Sequence, residues 1–231
     1  MGPRWRHDVI PAVTKYRSAG PVNSVFLCHF DGTNGQTTYT DVYGNAITNH
    51  GAALTTTSPQ FGTASLNCTG NYVSVAHSSS FLATGDYTIE GWLNYTSGNN
   101  QVMIGKRANS SINAWFLLDF FSGIFAYVTA IGGALTQIGN MVATPTAGTW
   151  HHFAIVRSGG NCMFYWDGVQ QGASLPLAAG TVADDGSAIT IGASAVDGSF
   201  ALNAWQIDEV RISPVARYTS NFTPPASAFT F

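Results

Sequence analysis

Charge is scarce in this chain: only 9% of its 231 residues are Asp, Glu, Lys or Arg, while 45% are hydrophobic. The surface must then be covered largely by Ser, Thr, Asn and Gly, which suits a secreted or particle-bound protein. The body has no basic patch interleaved with aromatics, which argues against nucleic-acid binding. Cysteine is scarce too. Cys28, Cys68 and Cys162 are an odd number and define no disulfide framework; Cys28 and Cys162 lie inside strand patterns and are expected to be small buried hydrophobes. No stretch approaches transmembrane length, and the opening MGPRWRHDVIPAV has no apolar run of the kind a signal peptide needs. The expectation is a chain that starts near Met1 and folds in a cytoplasm, where the Asn-x-Ser/Thr triplets headed by Asn67, Asn94, Asn109 and Asn221 mean little. Also missing is any sustained apolar period of 3.6 residues, and the 25 glycines argue further against long helices.

The charge that is present is unevenly placed. Residues 1–20 carry Arg4, Arg6, Lys15 and Arg17 against Asp8, a net of +3; the remainder carries five basic and eleven acidic residues, a net of −6. Pro11, Ser18, Ala19, Gly20 and Pro21 break up this segment, and regular patterning begins at Val25. The reading is therefore a basic arm over 1–21 and one domain over 22–231, with Arg4, Trp5, Arg6, Lys15, Tyr16 and Arg17 as candidate attachment residues toward an acidic partner surface.

Period-two alternation is the strongest pattern in the body. Between Thr149 and Gly168 the chain reads TWHHFAIVRSGGNCMFYWDG. Trp150, His152, Ala154 and Val156 fall on one face of a strand and His151, Phe153, Ile155 and Arg157 on the other. A Ser-Gly-Gly-Asn turn leads into a second strand closed by an Asp-Gly corner. Further strands are expected over 24–30, 65–67, 72–75, 87–95, 101–105, 114–120, 124–129, 188–192 and 205–213, separated by Gly, Asn, Asp, Ser and Thr clusters. Short strands at this spacing predict an all-β, two-sheet antiparallel jelly-roll sandwich.

Several blocks follow in a recognisable order: Phe26-Leu-Cys-His-Phe-Asp-Gly32, Phe61-Gly-Thr-Ala-Ser-Leu66, Tyr72-Val-Ser-Val75, Gly85-Asp-Tyr-Thr-Ile-Glu-Gly-Trp92, the hairpin, and Ile207-Asp-Glu-Val-Arg-Ile-Ser213. Together, over about residues 24–231, they resemble a laminin-G-like jelly roll of the concanavalin A-like lectin/glucanase superfamily. The tail Ala216-Arg-Tyr-Thr-Ser-Asn-Phe-Thr-Pro-Pro225 is similar to the version common in bacteriophage structural proteins. The resemblance implies that the first and last strands pair, so that the arm leaves the body beside the C-terminus.

That superfamily contains glycoside hydrolases, so the chemistry can be tested. A retaining glycosidase needs two carboxyl groups about 5 Å apart, which related glucanases supply on one Glu-x-Asp-x-Glu strand. The corresponding stretch here has Glu90 alone, with Trp92 where the next acid should stand. Asp208 and Glu209 are neighbours and face opposite sides of a strand. Glu90 is expected to make a structural hydrogen bond and Glu209 to pair with Arg211. His151 and His152 point apart and cannot chelate one ion. The resemblance implies a structural calcium, for which Asp31 and Asp208 are the candidates, since loop carboxylates suit a hard cation; the Asp-Gly pairs are equally what tight turns require. No other cofactor is expected.

For sugar binding, Trp115, Tyr127, Tyr165 and Trp166 are the candidate stacking residues, with amides in the loop 96–100. The expectation is a non-catalytic accessory virion protein, capsid-decorating or tail-associated, attached to other virion proteins through its arm and able to form a symmetric oligomer. The alternative is a soluble carbohydrate-binding module, extracellular or at a cell surface, that recognises a host-surface glycan. Neither a nucleic acid nor a membrane is an expected partner.

Overall fold

The computed structural model describes residues 24–81, 85–97, 101–107, 116–121, 124–131, 134–141, 145–177, 186–195, 197–199, 201–202 and 205–230. The attachment residues Arg4, Trp5, Arg6, Lys15, Tyr16 and Arg17 lie outside these. The described strands are β1 (Phe26–Cys28), β2 (Ile47–His50), β3 (Ala53–Thr55), β4 (Ser65–Asn67), β5 (Tyr72–Val75), β6 (Tyr87–Tyr95), β7 (Gln101–Lys106), β8 (Phe116–Phe121), β9 (Ile124–Ile131), β10 (Ala134–Met141), β11 (Trp150–Ser158), β12 (Asn161–Trp166), β13 (Val169–Gln170), β14 (Leu175–Pro176), β15 (Ile189–Ile191) and β16 (Trp205–Ser213). One short 3-10 turn, Ser79–Phe81, interrupts them. Among the described residues no helix is long and apolar enough to cross a membrane.

The strands form two antiparallel sheets. The first runs β13-β12-β11-β6-β16-β4-β3, with β1 added on β16 and β14 on β12; the second runs β10-β9-β8-β7-β15-β5-β2. The first and last strands pair, Phe26 opposite Ile212 and Cys28 opposite Val210. The two turns flanking β12 follow from their glycines. Gly159 and Gly160 (φ 56° and 86°), then Asp167 and Gly168 (φ 49° and 76°), are all left-handed, the conformation of the tight turns whose twist matches paired strands.

Inward-facing residues of both sheets, among them Phe26, Val73, Ile89, Phe153, Phe164, Ile189, Trp205 and Ile212, make one core. The outer face of the first sheet is also buried. Ala154, Val156, Met163 and Tyr165 are covered by Ala216, Tyr218 and Phe222, and Leu27 and Trp92 are covered by Phe229, Phe61 and Trp150. A C-terminal strap, residues 214–230, thus crosses that face. It is held by Phe222 N to Gly168 O at 2.9 Å, Gln170 N to Asn221 Oδ1 at 2.9 Å and Arg217 N to Thr88 Oγ1 at 2.9 Å.

Strands β2, β3, β10, β13 and β14 are additions to the sequence expectation. In β2 the run Ile-Thr-Asn-His is half exposed and mostly polar, and β13 and β14 are two residues each, so neither offers an apolar alternation to read.

Candidate functional site

The strand that would carry an enzyme's acid is β6. Pairing puts Glu90 in one row with Ala154 and Arg211, and Trp92 in the next with His152 and Asp208. Glu90 and its row neighbour Ala154 lie on the outer face of the first sheet, under the strap. Glu90 is wholly buried. Its Oε1 accepts Arg211 Nε at 2.9 Å and Nη2 at 2.8 Å, and its Oε2 accepts the Tyr218 hydroxyl at 2.8 Å. His152 Nε2 stands 3.3 Å from Oε2 and Arg217 Nε 3.5 Å from Oε1. Burial by itself would raise the carboxyl; the His152 contact and the Arg211 charge outweigh it and hold Glu90 below its ordinary value. A carboxylate enclosed by cations and a phenol, with no second carboxylate among these partners, is a structural anion rather than an acid–nucleophile pair.

Strand β16 breaks its register between Asp208 and Arg211, where Glu209 takes a left-handed backbone (φ 54°). This bulge disrupts the side-to-side alternation assumed from sequence. Glu209 therefore does not pair with Arg211: Arg211 turns to Glu90, while Glu209 Oε1 meets His29 Nδ1 at 2.7 Å and Oε2 accepts the backbone N–H of Phe229 at 2.7 Å. The Glu209 contact raises the His29 imidazole above its ordinary value against the opposing effect of burial.

Asp208 and Asp31 clamp one loop from two sides. Asp208 Oδ2 accepts the amides of Gln60 at 3.0 Å and Phe61 at 3.1 Å, and Asp31 Oδ1 accepts the amide and hydroxyl of Thr63. Burial pushes Asp208 up to about 8 despite those amides. Its Oδ1 is buried without a partner among the described residues. Each carboxylate thus spends one oxygen on the loop it holds, and no group of three His, Cys, Asp or Glu side chains converges there among the described residues.

The two histidines separate as strand geometry requires. His152 faces Glu90, and His151 Nδ1 meets Asp167 Oδ2 at 2.6 Å while its ring stacks on Trp166. Two of the expected stacking residues are corrected by burial. Tyr165 is 0% exposed and Trp166 6%; Tyr165 packs against Phe222 of the strap and Trp166 against Phe164 and His151, so neither ring has a face for a sugar. The strap closes the outer face of β12 over Tyr165, while Trp166 belongs to the core between the sheets. Tyr127 lies in β9 opposite Leu118 with its side chain outside the described residues, as is all of Trp115. What sequence reasoning missed is at the end of β1, where His29, Phe30 and Asp31 meet residues 36–42 around an open cleft of about 520 Å³. The signal available for it was the single Asp31-Gly turn.

A laminin G family model, described as the concanavalin A-like lectin/glucanases superfamily, matches residues 67–220. Similar solved structures include the binding domain of Paraclostridial Mosquitocidal Protein 1 (TM-score 0.62, 15% identity, covering 85% of this chain and 50% of that one). The binding domain of botulinum neurotoxin serotype D is similar at TM-score 0.61 and 12% identity, covering 84% and 49%. Domain 4 of AbnA, a GH43 extracellular arabinanase from Geobacillus stearothermophilus solved with arabinotriose, is similar at TM-score 0.59 and 16% identity, covering 85% and 93%. The chain spans about half the length of the toxin binding domains it matches. At these identities the likeness is one of fold. No curated protein matches the sequence.

Proposed function

The chain belongs to the concanavalin A-like lectin/glucanase superfamily, and from that membership we propose that it is a non-catalytic, lectin-like module that binds carbohydrate and is displayed on a virion through its basic arm. The observation that carries the reading is the closure of Glu90. The only acid on β6 is spent on Arg211 and Tyr218 beneath the strap, so the strand offers a scaffold and no hydrolytic pair. Function in such a fold moves to the loops at the sheet ends, where a rigid sandwich positions exposed polar groups. The carbohydrate class is supported by the fold's company: one neighbour is an arabinanase domain in complex with arabinotriose, and another belongs to a botulinum neurotoxin type C whose cell entry depends on two ganglioside molecules.

A glycan array probed with the whole chain tests the binding half. Discrete glycan spots are expected, and a blank array contradicts it.

The virion setting rests on the charge split, a basic segment of net +3 on a body of net −6, and on the phage-like block 216–225. Capsid or tail proteins with acidic faces are the partners this implies. A mass-spectrometric inventory of purified virions from the source culture is the check: the chain is expected among the particle proteins, and its absence removes the setting while leaving the lectin reading in place.

A further inference from the structure

The cleft at the end of β1 has the size of a small-ligand site, within the few hundred to a thousand Å³ that such sites span. Its mouth is built on unusual backbone. Phe30 is a bulky residue in the left-handed region (φ 54°), and Glu209, which holds His29 on its wall, is another (φ 54°). Conformations of that kind cost on the order of 1–3 kcal/mol each and persist where the surroundings fix them, commonly at binding sites. Phe30 is fixed by burial against Tyr39, ring centroids 5.8 Å apart.

The opposite wall is ordered before any ligand arrives. Gln36 accepts from the Thr33 amide at 3.2 Å and donates to Thr38 O at 2.6 Å, and the Tyr39 hydroxyl donates to Ala52 O at 3.1 Å. A wall already held in this way loses little entropy on binding. Several groups remain open. Asp31, Thr38 and Thr40 are exposed, and His29 uses only Nδ1 on Glu209, leaving Nε2 without a partner among the described residues. Half-buried Tyr39 adds an aromatic surface.

Charge narrows the ligand. Among the described residues no lysine or arginine lines the cleft, whereas Asp31 and Asp41 do, and Asp208 and Glu209 lie behind it on β16. Carboxylated or phosphorylated ligands are disfavoured there, since like charges repel in a partly desolvated site. We propose that this cleft binds a neutral sugar unit, with Asp31 and the His29 Nε2 taking adjacent hydroxyls, Thr38 and Thr40 lining the rim and Tyr39 forming the apolar wall. This deepens the carbohydrate-binding reading and rests on it.

The test is an array of neutral and sialylated glycans probed with the wild-type chain, Asp31→Asn and Thr38→Tyr, each with a thermal melt as fold control. Thr38 is exposed, so a bulky ring there fills the cleft without disturbing the core. Spots confined to neutral glycans are expected, with each substitution weakening them about tenfold or more, the loss of one good polar contact or of the space itself. Binding restricted to sialylated glycans, or neutral binding that survives Thr38→Tyr in a chain with an unchanged melt, overturns the cleft while leaving carbohydrate binding intact. A blank wild-type array overturns both.

Discussion

Single side chains set how this protein responds to pH. Asp208 is held up at about 8 by burial, above the 3.8 of an ordinary aspartate. The native state therefore binds a proton more readily than the unfolded chain between those values. Its stabilising effect is complete below about pH 4 and is lost as pH rises toward 8. His29 acts in the same direction. Raised by Glu209, it stabilises below its ordinary 6.5 and loses that effect as pH rises through its folded value. Glu90 acts oppositely: lowered on balance by His152 and Arg211 against burial, it stabilises above its ordinary value and loses that effect as pH falls. In denaturant melts, Asp208→Asn is expected to flatten the decline between pH 4 and 8 and to exceed the wild type above pH 8, because an amide oxygen still accepts from Gln60 and Phe61 without burying a charge. An unchanged slope would show that Asp208 titrates normally. Glu90→Gln strips the Arg211 guanidinium of its counter-charge and is expected to destabilise by about 3–5 kcal/mol, measured in the same melts at pH 7.

Strands declared themselves well in the sequence wherever one face met the core. Strands β4, β5, β6 and β16 span the expected ranges, and the alternation of β11 puts Phe153 and Ile155 inside. The strap did not, because an extended, Pro-containing tail has no period to betray it, and its cover over β12 is a contact between distant parts of the chain. That gap accounts for the misplaced Tyr165, whereas Trp166 belongs to the core between the sheets, on the other face of β12. The bulge at Glu209 was equally hidden, since no glycine marks it, and it redirected Arg211 from Glu209 to Glu90. Glu209 at that bulge links cleft and strap, meeting His29 on the cleft wall and the amide of Phe229 in the strap. The strap is tied down where Gly168 meets Phe222: a side chain at Gly168 would collide with the Phe222 carbonyl, and its φ of 76° is unfavourable for alanine. Gly168→Ala is expected to cost more than about 1 kcal/mol and to speed amide hydrogen exchange at Phe222 and Phe229 ahead of the core strands; uniform exchange throughout would mean the strap is not a separable layer.

At the scale of the whole molecule, the sheets make a frame in which Glu90 of β6 is closed under the strap and an open cleft lined by polar groups lies at the end of β1. Removing residues 1–20 changes the net charge from −3 to −6. Rebinding to stripped particles is expected to fall on that deletion, and wild-type rebinding to weaken with salt, because exposed charges are screened beyond about 10 Å at 0.1 M ionic strength. Undiminished rebinding of the shortened chain would contradict attachment by the arm. The central claim, carbohydrate bound and not turned over, is tested most directly by calorimetric titration of the whole chain with the neutral oligosaccharides that mark the array, followed by chromatography of the recovered sugar. Saturable heat with the oligosaccharide recovered intact is predicted; no heat across the set, or shortened sugar in the recovered fraction, would contradict it.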